Sequence, residues 1–477
     1  MVRLALRIGL FVVIATVVIG AAGGGLFYAF LQHFYFDPPK AEYPRPASAL
    51  VAQRQDLDYF ARIMALDRSF RPEARAEADR RVAALEALPT ALPLPKLHVA
   101  LMQIMALADN GHTKMRATIP GAKDLLVPVR VTRFAEGFYV MRARNEYRDM
   151  LGGRVESIDG IPFDQLLAKL ETLRGGKESF RRENAAYFIV NQDLLYGAGI
   201  ARDPNRSEWT VRLPDGQTVT HVLVAERESD DTAPYGARWR SPDPLKGMGT
   251  DWAAYRPSSG SVPESEMQID NLFSSRSIPG SCARYIRVED IMDTDGQKIQ
   301  PFLTATEAAL KAHPPCAIIF DLRGNGGGDY TNMWHFTHAL PELVAPGGRI
   351  FILTDPMTFS AAITTTAFTK EAGGDKVTII GEPVGDRLAF YAEGGGATLP
   401  NSKFSLSYET GKHDYAHPCT DLHDCFWLNW LYPVRVKTLE PDILIPYRFS
   451  DWDEGHDRAF ERAVALGAPR PESRPGS

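Results

Sequence analysis

The chain has 477 residues, of which 44% are hydrophobic and 23% are charged, so it is long enough for two or three packed domains. This composition excludes a disordered or fibrous protein. The formal net charge of −6 gives no support to nucleic-acid binding, which needs a basic patch, and we expect peptides or small molecules as partners.

An uncharged apolar stretch lies near the N-terminus, over residues 8–30. At about 1.5 Å per helical residue it is long enough to cross a membrane, and Arg3 and Arg7 before it favour a cytoplasmic N-terminus. The sequence therefore predicts a membrane anchor, with the bulk of the chain extracytoplasmic, in a bacterial periplasm or at the cell surface. A signal peptide cleaved near Ala21 and Ala22 is the alternative.

A helical module follows a proline-containing linker over residues 31–48. Apolar residues recur at helical spacing over 53–66, 72–88 and 95–107. The module ends in a loop that contains His112, directly after an Asn-Gly turn. This residue is either an exposed turn histidine or a general base held at a domain edge.

Short alternating strands characterise residues 125–226, with turn signals between them. The segment 151–162 and the helical stretch after it are similar to the second half of a PDZ domain. Such a module binds an extended peptide by strand addition, whereas the alternative is a β-rich domain that only packs on the core. Residues 227–268 are rich in Asp, Ser, Pro and Gly and predict a loop or domain boundary.

Two short apolar runs, 316–320 and 349–353, predict buried strands of an α/β core. The first leads into three consecutive glycines, Gly326 to Gly328, whose backbone N–H groups are accessible to a ligand. The second leads to Ser360 at the start of a helical stretch, where a helix N-terminus is available. Each feature alone is usually structural, as a turn or a helix cap, but their combination at this spacing is far more specific.

The four cysteines of the chain fall into two pairs by context. Cys419 and Cys425 enclose a short polar loop that a disulfide would staple, with a metal site that uses nearby histidines as the alternative. Cys282 and Cys316 lie in apolar strands, which predicts buried free thiols.

Four segments together resemble motifs of the C-terminal processing and tricorn-core serine peptidases: Asp321-Leu-Arg-Gly-Asn-Gly-Gly-Gly, Thr358-Phe-Ser-Ala-Ala, Gly381-Glu-Pro-Val-Gly and Glu440-Pro-Asp-Ile. The resemblance covers about residues 95–447. It implies a crotonase-like (ClpP-like) α/β core preceded by helices and a PDZ-like domain. It also implies Ser360 as the nucleophile, with the backbone N–H groups of Gly326, Gly327, Gly328 and Ala361 as the oxyanion hole.

The two branches of this family differ in the base that activates the serine. The position of the lysine in the processing peptidases falls on or beside Arg387, and an arginine stays protonated and cannot act as a base. The tricorn-like branch uses a histidine before the PDZ-like region, and the segment around His112 resembles that motif. The acid that would orient this histidine is absent from its usual place, so we expect Glu393 to take the role, with three rivals: Glu382, Glu440 and Asp442.

The sequence thus predicts an α/β serine peptidase, anchored in a membrane and exported, that hydrolyses peptides or proteins without a metal or organic cofactor. The alternatives are an idle peptide- or lipid-binding protein of the same fold and an esterase-like serine hydrolase. The expected divisions are an N-terminal stub and anchor (1–40), a helical module (41–115), a β-rich PDZ-like domain (116–230), a linker (231–270), a peptidase core (271–450), and a C-terminal helix and tail (451–477).

Overall fold

The computed structural model describes residues 23–118, 123–227, 237–245, 248–263, 266, 271–294 and 296–468. Residues 23–34 are helical. The α-helices that follow are Ala49–Met64, Pro72–Glu86, Leu94–Ala106, Phe163–Glu171, Glu178–Phe188, Gln192–Gly197, Ile299–Ala312, Trp334–Ala339, Ala361–Gly373, Phe449–Asp453 and Arg458–Gly467.

A six-stranded sheet forms the centre of the core. Its first pair is antiparallel and the remaining pairs are parallel, as expected for an α/β core. In spatial order its strands are Phe273–Ser277, Arg284–Val288, Ala317–Asp321, Arg349–Thr354, Val377–Gly381 and Ile443–Leu444.

Helices cover both faces of this sheet, which explains why its central strands are apolar without interruption. Ile318 and Phe320 pack in the same cluster as Ile363 of the helix Ala361–Gly373. Ala317 and Ile319 point to the opposite face, where they pack with the helix Arg458–Gly467. The alternation follows from the two-residue period of a strand.

The β-rich domain contains a seven-stranded sheet. Its strand Gly137–Arg144 has partners along both edges, so its backbone is not available for the addition of a peptide strand. One strand of this sheet, Trp252–Ala254, comes from the segment expected to be a linker. The others are Val129–Phe134, Arg154–Ile158, Ile161–Pro162, Arg206–Arg212 and Thr218–Val224, and a separate two-stranded sheet pairs Leu125–Leu126 with Glu226–Arg227.

A third sheet joins the helical module to the core. The strands Ala389–Thr398 and Ser405–Asp414 form a long antiparallel pair, and Lys114–Met115 adds to the outer edge of the second. Lys114 lies opposite Ser407 in this pairing. The chain directly after His112 is therefore part of a sheet built from core residues.

The transmembrane helix expected over residues 8–30 is a wrong prediction. No helix in the part of the chain that the structure describes is both long and apolar enough to cross a membrane. Residues 23–29 of the run are exposed, whereas the rings of Phe30, its last residue, and of Phe34 beyond it lie 5.4 and 5.2 Å from that of Phe426. The extracytoplasmic location rested on that helix and is corrected with it. Residues 1–22, which include the alternative cleavage site at Ala21 and Ala22, lie outside the described residues.

The four cysteines form two disulfides. Cys419 is bonded to Cys425, which is the staple considered for this loop. Cys282 is bonded to Cys316, and the expectation of free buried thiols for this pair is wrong. These cysteines precede the neighbouring parallel strands Arg284–Val288 and Ala317–Asp321, whose pairing brings the two sulfur atoms together.

Candidate active site

Ser360 lies at a sharp turn between the strand Arg349–Thr354 and the helix Ala361–Gly373. Its backbone has φ +54° and ψ −123°, a conformation that residues other than glycine rarely adopt. A strained serine between a strand and a helix is also the arrangement of nucleophile turns in serine hydrolases. Ser360 is partly exposed, whereas the two residues before it are buried.

Asp355 holds this turn in place. Its carboxylate accepts hydrogen bonds from the N–H groups of Met357 and Thr358, at 3.0 and 2.9 Å. It also accepts the N–H of Gly324, at 3.0 Å, and so connects the serine turn to the glycine-rich turn on the neighbouring strand. Burial raises the pKa of Asp355 to about 6.

The glycine-rich turn lies directly against Ser360. A Cβ atom on Gly327 would lie only 2.6 Å from the Cβ of Ser360, so a side chain at this position would displace the serine. The N–H of Gly327 donates to the side-chain oxygen of Asn325 at 2.9 Å. The backbone carbonyl of Asn325 accepts the N–H of Phe359, also at 2.9 Å. The N–H of Gly327 is thus already hydrogen-bonded within the turn and is not available to an oxyanion.

The other amides expected in the oxyanion hole have different surroundings. Gly326 lines the same cavity as Ser360. Ala361 is the first residue of the helix after the serine, where N–H groups have no partner within the helix. Gly328 lies against the backbone of Ile291, which a Cβ atom on this glycine would approach to 2.4 Å.

The loop that carries His112 (residues 109–113) is anchored to the core by the two residues before the histidine. The N–H of Gly111 donates to Asp386 at 3.0 Å. The Asn110 side chain exchanges two hydrogen bonds with the backbone of Tyr391, at 2.9 and 3.0 Å. These contacts fix the loop on residues 386–391, directly beyond the strand Val377–Gly381.

The imidazole of His112 lies between two aromatic rings. Its centroid is 4.3 Å from that of Phe359, the residue before the serine, and 5.4 Å from that of Phe390. Neither ring nitrogen has a hydrogen-bond partner among the described residues, and both are shielded from solvent. Burial, together with the nearby charges of Lys114 and Arg174, lowers the pKa of His112 well below its ordinary value.

One cavity of about 570 Å³ brings these groups together. His112, Ser360 and Gly326 all contribute to its wall, and it is large enough to hold a peptide side chain with part of its backbone. The remaining lining residues are Lys114, Met115, Arg116, Ala117, Thr118, Arg174, Phe180, Asn184, Tyr187, Phe188, Met357 and Phe359.

Glu393 does not contact His112. Its carboxylate accepts a hydrogen bond from the Tyr35 hydroxyl and lies 3.5 Å from Nε2 of His413. Burial acts to raise the pKa of Glu393, but the contact with His413 holds it below its ordinary value. The ring of Phe390 stacks on both histidines and separates Glu393 from the candidate base.

The three rival acids are engaged elsewhere. Glu382 pairs with Arg133 at 2.6 Å, Glu440 with Lys177 at 2.7 Å, and Asp442 with Lys370 at 2.9 Å. Among the residues with described positions, no three or more His, Cys, Asp or Glu side chains are grouped to hold a metal ion.

No family model matches the chain, and no curated protein sequence matches it. Among solved structures, mature CPAF complexed with lactacystin gives a TM-score of 0.56 at 13% identity, covering 88% of this chain and 98% of that one. The chain has a fold similar to that of CPAF.

Two further solved structures match at lower TM-scores. The photosystem II D1 C-terminal processing protease gives 0.37 at 11% identity, covering 87% of this chain and 99% of that one. A putative S41 protease from Bacteroides fragilis gives 0.33 at 11% identity, covering 90% of this chain and 98% of that one. The match to CPAF, with the higher TM-score, is the one that confirms the expected resemblance at the level of the fold.

Sequence reasoning missed several residues of the site in this CPAF-like fold. Asp386 and Arg387 occupy the segment where the family resemblance places a lysine, and Arg387 was considered only as a base. Both contact the His112 loop, although they lie far from it along the chain. Lys114 also lines the cavity. The sequence did not indicate this, because an isolated cation in a strand is ordinarily a surface residue.

Proposed function

We propose that the protein is a serine peptidase in which Ser360 is the nucleophile and His112 is the general base. The observation that carries this proposal is that both residues line one cavity with Gly326, although they come from distant parts of the chain. The similarity of the fold to that of CPAF supports it. The strained serine turn, with an adjacent helix N-terminus, adds further support.

The proposed reaction is acyl transfer in two steps. The Oγ atom of Ser360 forms a bond to the substrate carbonyl carbon, while His112 accepts the hydroxyl proton. The negative charge on the carbonyl oxygen is stabilised by backbone N–H groups, for which Gly326 and Ala361 are the candidates. The C–N bond then breaks, and His112 donates its proton to the leaving amine. Water repeats the sequence to release the acid.

The surroundings of His112 affect both its protonation state and its orientation. A lowered pKa keeps the imidazole neutral, so that a ring nitrogen is able to accept a proton. The loop contacts of Asn110 and Gly111 limit the movement of the ring. This pre-organisation replaces part of the orienting function that an acid has in a three-residue catalytic site.

A fluorophosphonate probe tests the proposal, because it labels only a serine that is activated as a nucleophile. We expect labelling of the wild-type protein, none of Ser360→Ala, and a rate at least about a thousandfold lower for His112→Ala. Peptide hydrolysis should fall in parallel. Equal labelling of wild type and Ser360→Ala would remove Ser360 from the proposal.

A second candidate is a peptide-binding protein with an idle site. It is favoured by one observation, since His112 makes no hydrogen bond to Ser360 through either ring nitrogen. Catalytic hydrogen bonds often form only when substrate is bound, so this observation alone does not decide. Peptide binding by a wild-type protein that is not labelled would establish the second candidate.

A further inference from the structure

The cavity beside Ser360 is strongly cationic. Lys114, Arg116 and Arg174 line it, and no Asp or Glu is found among its described lining residues. A concave site with one sign of charge and apolar walls concentrates the electric field within it. These cations are not required by the acyl-transfer steps, which use only a nucleophile, a base and N–H donors.

Arg174 is the most unusual of the three. Its guanidinium forms no ion pair or hydrogen bond with any residue that the structure describes, and its Nε atom is shielded from solvent. The group lies 5.2 Å above the ring of Phe180, which itself stacks at 4.4 Å on Phe359. An enclosed arginine is ordinarily paired, because an isolated charge is costly to remove from water. Its free donors are thus available to a ligand close to the serine.

Lys114 shows the effect of this unpaired guanidinium. The positive charge of Arg174, followed by burial, lowers the pKa of Lys114 to about 7. Glu409 lies nearby but does not line the cavity, and burial with the adjacent Asp67 raises its pKa well above the ordinary value. Asp386 and Glu409 act on Arg174 from outside the cavity lining, and neither forms an ion pair with it among the described residues. A ligand carboxylate would supply the missing negative charge.

Apolar side chains complete the wall. Phe180, Phe188 and Met357 lie in the same lining as Arg174. A short aliphatic stem ending in a carboxylate matches this combination, since the stem contacts apolar atoms and the charged end meets the guanidinium.

We propose that this cavity binds a carboxylate of the substrate close to the bond that Ser360 attacks, with Arg174 as the residue that determines this specificity. The inference rests on the proposed function, because it assigns the substrate class of the same site. The apolar wall beside Arg174 favours the carboxylate of an acidic side chain, and a C-terminal carboxylate is the other outcome of the test. Arginine binds both with the same paired geometry.

Binding to the Ser360→Ala variant tests the proposal without requiring catalysis. One pair of fluorescent eight-residue peptides has both ends blocked and a central Glu or Gln. The second pair has no acidic side chain and ends in a free carboxylate or an amide. We expect a preference of about tenfold or more for the carboxylate member of one pair, measured by fluorescence anisotropy. The pair that shows it identifies the source of the carboxylate.

Substitutions at Arg174 connect that preference to the residue. In the Ser360→Ala background, Arg174→Gln should bring the affinity ratio close to one, whereas Arg174→Lys should keep part of it because the charge remains. Arg80→Gln, which removes an exposed arginine outside the cavity, is the matched control and should leave the ratio unchanged. The comparison of the peptides themselves needs no change at Arg174 and stands even if that variant does not fold.

Equal affinities within both pairs, or no binding of the carboxylate peptides, would overturn the inference. A ratio that persists in a folded Arg174→Gln variant would overturn the role of Arg174. Failure of the proposed function is recognised separately, as an absence of fluorophosphonate labelling in the wild-type protein. The binding comparison then still decides whether the cavity recognises carboxylates.

Discussion

Arg387 binds Asp109 through two donors at once. Its Nη2 atom donates to the carboxylate at 2.8 Å, and its Nη1 atom donates to the backbone carbonyl of the same residue at 2.9 Å. This contact joins the core to the loop that carries His112. The residue that is unable to act as a base thus helps to hold the candidate base beside Ser360.

Removal of this contact should slow the reaction of Ser360 more than it destabilises the fold. The Arg387 side chain is half exposed, so its ion pair contributes about 1 kcal/mol or less to stability. We expect Arg387→Ala to lower the rate of fluorophosphonate labelling by about tenfold or more, because the ring of His112 loses its position. The matched control is Arg71→Ala, since Arg71 approaches the same carboxylate only to 3.8 Å. Equal rates in the two variants would contradict a positioning role for Arg387.

The pH dependence of labelling distinguishes two possible bases in the cavity. Because the pKa of His112 lies well below 6.5, its neutral form persists into mildly acidic solution. The labelling rate should therefore stay constant between pH 8 and pH 6.5 and fall only at lower pH. A rate that halves near pH 7 would instead indicate Lys114, whose pKa is about 7. If His112 is the base, Lys114→Met should move the decline to higher pH, because a neighbouring positive charge is removed.

Asp386 should make the protein less stable as the pH rises. Burial raises its pKa to about 6, above the ordinary 3.8, so the folded protein keeps a proton that the unfolded chain has lost between these values. The stability from this proton is fully present below about pH 4 and is lost as the pH rises through 6, by up to about 3 kcal/mol. Urea unfolding at several pH values should show this loss in the wild type relative to Asp386→Asn. The exposed Asp164→Asn variant should follow the wild type.

Arg133 should be essential for docking the β-rich domain on the core. Its guanidinium contacts Glu183 and Glu382, both at 2.6 Å, and all three side chains are largely buried. Arg133→Met leaves two buried carboxylates without a cation, which we expect to cost about 3–5 kcal/mol in the free energy of unfolding. The more exposed Arg154→Met should cost less than about 1 kcal/mol. Similar losses in the two variants would show that the buried triad is not stabilising.

The two disulfides should differ in their effect on stability. Cys282 and Cys316 are separated by 34 residues, and Cys419 and Cys425 by 6. Because a longer closed loop restricts the unfolded chain more strongly, loss of the first bridge should cost about 4 kcal/mol and loss of the second about 2 kcal/mol. Denaturant unfolding of the paired Cys→Ala variants measures both. A larger loss from the second bridge would contradict this chain-entropy account.

The sequence was informative where chemistry depends on local pattern. The strand, turn and helix around Ser360 follow from a buried apolar run, three glycines and a helix-forming segment, and all of them are present. The apolar N-terminal run predicted a transmembrane helix, but its hydrophobicity carried no information about the chain directly after it, which packs on protein. Phe34 is fully buried against the core, a contact that depends on the fold of residues near 426.

Contacts between residues that are distant along the chain could not be predicted from the sequence. Glu393 was expected to orient His112, yet its carboxylate lies beside His413, and the ring of Phe390 stacks on both histidines. The cationic character of the cavity arises from Lys114 and Arg174, which lie on separate elements. Such groupings depend on three-dimensional packing rather than on spacing along the chain.

Because the backbone of Ser360 is left-handed, the residue that the proposed function needs here differs from the residue that would make the fold most stable. Glycine adopts this conformation without strain, so Ser360→Gly should be more stable than the wild type by about 1 kcal/mol while losing the nucleophile. Alanine would remove the hydroxyl but keep the strain. Selection for folding alone would therefore favour glycine here, and a serine at this position is what a requirement for chemistry would preserve.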